Sequence, residues 1–66
     1  MQSVLIMTKD DNGYQALQFK AENELQFSQF SLLKQRVRNT EIELNRLLTT
    51  DEVQDILQYI ESQNKL

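Results

Sequence analysis

The chain has 66 residues, 39% apolar and 26% charged, with no cysteine, no histidine and a net charge of −3 from seven basic and ten acidic side chains. That composition excludes disulfides, thiolate chemistry and the two commonest ligands of structural zinc. It also disfavours non-specific attraction to nucleic acid or anionic lipid.

A chain this short buries only about 60% of the surface its unfolded form exposes. One small domain spanning 1–66 is therefore expected, with self-association as a route to more core. The opening MQSVLIMTKDD has a four-residue apolar run, Val4 to Met7, followed by acids, and lacks the basic start and cleavage-like segment of a signal peptide. No stretch nears the roughly 18 apolar residues of a membrane span. These features lead to the expectation of a cytoplasmic protein.

In chain order, the first signal is KDDNGY, which holds the only glycine. Asn-Gly between apolar runs is a strong hairpin signal. Ser3 to Thr8 is expected as one strand and Tyr14 to Lys20 as the second, because Leu17, Phe19 and Ala21 alternate with Gln18, Lys20 and Glu22. The hairpin thus occupies 1–21. A competing reading starts one long helix at Gly13, since Tyr14, Leu17, Ala21 and Leu25 also fit a helical stripe. A third short strand at Leu25 to Phe27 is a further alternative.

From Phe30 the period changes. Phe30, Leu33, Val37, Thr40, Leu44 and Leu47 are spaced by three and four residues and share one helical face. A helix over 29–48 is expected, capped by Ser28 or Ser31 and widened by Leu32 and Leu48. Asn39-Thr40 before Glu43 also reads as a stop and a new capping box.

The stretch LLTTDEV sets up a second helix, 50–63. With Thr49 as N-cap, Glu52 stands at N3, Leu48 and Val53 are placed for a hydrophobic staple, and Asp51 and Glu52 complement the helix dipole. Val53, Ile56, Leu57 and Ile60 form its apolar stripe, with Tyr59 at the border. A connection of one or two residues makes the two helices an antiparallel hairpin. The expected fold is α+β: an N-terminal β-hairpin followed by two amphipathic helices. The alternative is all-α, with one long helix and a short C-terminal one.

Reactive constellations are scarce. Asp51 and Asp55 lie at i, i+4 but lack the other oxygen ligands of a hard cation site. KDDNG fails the calcium-loop register, because with Gly13 at position 6 the acid positions 1 and 12 fall on Thr8 and Phe19. Without histidine, serine and threonine have no recognisable base, and one glycine cannot build a phosphate loop. No catalytic, cofactor or metal residue is assigned. Tyr14, Phe19, Phe27, Phe30 and Tyr59 are read as packing residues rather than base-stacking platforms.

Between Glu24 and Glu41 the only charged side chains are Lys34, Arg36 and Arg38, a local +3 in a net-negative chain. On a helix Lys34 and Arg38 share a face and Arg36 points roughly 200° away. They are read as a solvated face, paired locally through Arg38 to Glu41 or Arg46 to Glu43, or as a basic patch for an acidic protein partner, with nucleic-acid phosphate as the lesser alternative.

The expected function is a non-enzymatic protein–protein interaction module, an adaptor, inhibitor or regulator. It would present a helical surface as a homodimer, through Phe30, Leu33, Val37, Leu44, Leu47, Val53, Ile56, Tyr59 and Ile60. Neither membrane, nucleic acid nor small-molecule substrate is expected as a partner. A structural subunit of a larger complex is one alternative.

Another alternative comes from a generic likeness. A strand followed by two helices, with Asn39-Thr40-Glu41-Ile42 at the start of the second, resembles over residues 16–48 the ribbon-helix-helix arrangement of small DNA-binding regulators and antitoxins. The resemblance implies that Gln18 and Lys20 face the major groove. The net charge and the sparse cations on that strand weigh against it.

Overall fold

The computed structural model describes residues 2–63, so the ends of the expected 1–66 span lie outside the described residues. The element order is β1 (Gln2–Asp10), β2 (Gly13–Ala21), α1 (Glu24–Leu44) and α2 (Thr50–Gln63). This is the α+β architecture of a hairpin followed by two helices. The long helix from Gly13 and the strand at Leu25 to Phe27 are both overturned.

β1 and β2 pair antiparallel, from Gln2 opposite Ala21 to Asp10 opposite Gly13. The strands therefore run longer than Ser3 to Thr8 and Tyr14 to Lys20. The reversal is made by Asp11 and Asn12, both at negative φ, while Gly13 takes φ 109° as the first residue of β2. The turn is accordingly neither I′ nor II′, which need positive φ at the first central residue. Gly13 supplies a backbone conformation that a side chain would strain.

Alternate residues of β1 (Val4, Ile6 and Thr8) face the helices and are buried, with Leu17, Phe19 and Ala21 of β2 beside them. Phe27, Phe30, Leu33 and Val37 of α1 and Val53, Ile56, Leu57 and Ile60 of α2 complete the core, with Leu48 between the helices. The Phe19 and Phe30 rings sit 5.4 Å apart at a tilt of 41°, a favourable aromatic arrangement. The protein is thus a two-stranded sheet laid on a helical pair.

Two boundaries of α1 differ from expectation. It begins at Glu24 rather than 29, because Asn23 and not Ser28 or Ser31 is the cap: its Oδ1 accepts from the Gln26 amide at 2.8 Å. Gln26 Oε1 in turn accepts from the Glu22 amide at 2.8 Å. It ends at Leu44 rather than 48, because Asn45 adopts the left-handed conformation (φ 56°, ψ 40°) and its amide, with that of Arg46, bonds the Glu41 carbonyl.

The interhelical connection is therefore Asn45 to Thr49, longer than one or two residues, and Leu47 and Leu48 lie in it. No break occurs at Asn39-Thr40: Thr40 Oγ1 donates to the Arg36 carbonyl at 2.9 Å and the helix runs on. With α1 continuous through Asn39 to Ile42, the helix start on which the ribbon-helix-helix resemblance depended does not exist.

α2 starts where the sequence places it. Thr49 Oγ1 accepts from the Glu52 amide at 3.2 Å and Glu52 Oε1 accepts from the Thr49 amide at 2.9 Å, a closed capping box. Leu48 and Val53 are both buried, as a staple requires.

Candidate docking groove

The expected interface residues divide sharply. Phe30, Leu33, Val37, Val53 and Ile60 are buried in the chain's own core, and Ile56 packs against it. They cannot also present a surface, so the homodimer built on them loses its main contacts. Leu44 and Tyr59 are exposed, and Leu47 is half-buried. The helical stripe was core because a 66-residue chain must first cover its own sheet.

Lys34, Arg36 and Arg38 are all exposed and divide as the helical spacing predicts. The Arg36 guanidinium lies over the Tyr59 ring, 5.7 Å from its centroid, and joins α1 to α2. Lys34 and Arg38 turn the other way and line a groove between α1 and β1. The expected local pairings, Arg46 to Glu43 and Arg38 to Glu41, do not form: among the described residues the one ion pair joins Arg46 to Glu52 at 2.9 Å. That pair, with the Thr49 amide, holds the Glu52 carboxyl down at about 2.

The groove owes its character to the free edge of β1. The Lys9 amide donates to the Leu48 carbonyl at 3.0 Å, away from β2. The Lys9–Tyr14 pair is therefore non-hydrogen-bonded, and because antiparallel pairs alternate, so are Met7–Ala16, Leu5–Gln18 and Ser3–Lys20. The amides and carbonyls of Ser3, Leu5 and Met7 point out of the hairpin. Among the described residues, the bond from Lys9 to Leu48 is the only backbone bond from β1 to anything but β2.

Along this edge the strand and helix residues line the groove in order. Ser3 and Leu5 lie with Phe27, Ser31 and Lys34 at one end. Leu5 and Met7 lie with Val37, Arg38, Glu41 and Leu47 at the other. Leu5 is 55% exposed and Met7 50%. Natural sheets usually blunt such an edge with proline, inward charge or a cover. Among the described residues, none of these guards β1 from Ser3 to Met7, and only Lys9 is tied down. In the sequence these residues show only the alternation of a strand; the signal for a free edge is the hairpin itself, because any two-stranded sheet leaves two edges.

Asp10, read as turn chemistry alone, also reaches α2: its Oδ1 accepts from the Thr50 amide at 3.1 Å and its Oδ2 from the Thr50 hydroxyl at 2.8 Å. Asp51 and Asp55 are both exposed on α2. Among the described residues no group of three or more histidine, cysteine or acidic side chains gathers. Nor, among them, is any helix long and apolar enough to cross a membrane. Compared with protein-family models, with curated proteins and with solved structures, the chain gives no match.

Proposed function

We propose that the chain is a non-catalytic protein–protein interaction module, and that its docking surface is the groove between β1 and α1 rather than the stripe of Phe30, Leu33 and Val37. The observation that carries this reading is the outward-facing backbone of Ser3, Leu5 and Met7, set beside exposed apolar side chains and two cations. A row of unpaired strand groups is a template for another chain. Without histidine or cysteine, the sequence offers no recognisable nucleophile–base motif that would favour a catalytic reading instead. The same reading has the module act in the cytoplasm, since a fold held without disulfides needs no oxidising compartment.

The test is a photo-crosslinking residue placed at Leu5, and as a control at the exposed Gln54 of α2, in the cells that make the protein. Discrete adducts with a second protein from position 5 and not from position 54 are expected. Absence of protein adducts from position 5, or equal adducts from both positions, contradicts the proposal.

A further inference from the structure

We infer that the groove takes an extended segment of a partner protein as a third strand beside β1, and that this segment carries acidic side chains two residues apart. The inference rests on the docking reading above and adds the form and charge of the ligand.

The form follows from the backbone. The outward groups of Ser3, Leu5 and Met7 repeat every second residue, the spacing at which a neighbouring strand hydrogen-bonds, whereas a helix has no free backbone groups to offer them. The Lys9 to Leu48 bond closes one end, so the added strand stops short of Lys9.

The charge follows from α1. Side chains of an added strand alternate between the helix side and the open face of the sheet. On the helix side they meet Lys34 and Arg38, which one helical turn sets about 6 Å apart along the axis. Alternate residues of a strand are spaced by about 6.6 Å, so carboxylates at i and i+2 match the two cations. Between them, on the open face, a side chain adjoins Leu5 and Met7, which favours an apolar residue. Glu41 at the Met7 end of the groove disfavours a third acid. A second copy of this chain fits less well. An isologous contact at this edge sets the patch against itself and brings both copies' Lys34 and Arg38 into one groove.

The test is selection from a random heptapeptide library displayed against the purified chain, followed by amide hydrogen exchange with the enriched peptides. Enrichment of an acid–apolar–acid pattern, slowed exchange at Leu5 and Met7, and roughly tenfold weaker binding to Lys34→Glu/Arg38→Glu are expected. Met7→Pro removes an outward donor that β2 does not use, so it should fold by circular dichroism yet lose the peptide. If Met7→Pro fails to fold, the charge-reversed variant, altered only at exposed side chains, decides. Neutral or basic ligands, binding indifferent to Lys34→Glu/Arg38→Glu, or binding that leaves Leu5 and Met7 exchanging freely each overturn the inference. So does failure to enrich any peptide, or a dimer that already protects those amides. Crosslinking from Leu5 judges the docking reading separately, and adducts there combined with any of these results would retain the site and reject the acidic strand.

Discussion

Asp10, the last residue of β1, accepts hydrogen bonds from both the amide and the hydroxyl of Thr50, the first residue of α2, at 3.1 and 2.8 Å. The turn end of the hairpin is thereby fastened to a helix start forty residues away in sequence. Its carboxylate also complements the positive end of the α2 dipole. Asp10→Ala is expected to destabilise the fold by about 1–2 kcal/mol, as loss of a good N-terminal cap does, and Asp10→Asn by less. Urea unfolding of the two variants against the parent checks this.

Leu33 and Leu44 were placed on one stripe by sequence, but Leu33 is fully buried and Leu44 is 48% exposed. Leu33→Ala should cost about 2–5 kcal/mol, a large share of the stability of so small a domain, and Leu44→Ala about 0.5 kcal/mol or less. Thermal melts of the two variants separate the core assignment from an interface, which would make both changes sensitive to protein concentration.

Glu52 titrates about 2, below its ordinary 4.5, chiefly through the hydrogen bond from Arg46 and then that from the Thr49 amide. A carboxyl depressed by folding contributes stability that is fully present above its unfolded value and is lost as pH falls toward its folded one. The contribution should therefore fade between about pH 4.5 and 2. Both side chains are well exposed, so it is modest. Arg46→Gln should raise the Glu52 titration midpoint, read from its carboxyl carbon by NMR, and move acid unfolding to higher pH.

Asn45 ends α1 in the left-handed region at φ 56°. A β-branched residue there is expected to cost about 1–2 kcal/mol, while glycine holds or slightly raises stability. Asn45→Val and Asn45→Gly, compared by chemical denaturation, check the assignment.

The strongest local signals in the sequence were those in which several residues had to agree. Thr49, Glu52, Leu48 and Val53 jointly specified the start of α2, and the Asn12-Gly13 pair between apolar runs specified a hairpin. Asn23 and Gln26 offer the same N-cap to N3 pattern, but they follow directly on an alternating strand, and the helical stripe becomes visible only at Phe30. Asn45 was illegible for another reason: Leu47 and Leu48 continue the apolar spacing past it, and whether they belong to helix or loop depends on packing against the sheet. The same tertiary demand turned the expected interface into core. Charge proved legible in direction, since Lys34 and Arg38 do part from Arg36. What they part toward, the edge of β1, required the sheet and helix to be placed together.

The free edge of β1 is what makes the groove a docking site, and amide hydrogen exchange of the isolated chain, followed residue by residue by NMR, measures it. Val4, Ile6 and Thr8, whose amides bond β2, and Lys9, held by Leu48, should exchange slowly, while Leu5 and Met7 exchange fast, an alternation along one strand. Leu5 and Met7 exchanging as slowly as Ile6 would mean that the edge is already covered, and would contradict a docking groove there.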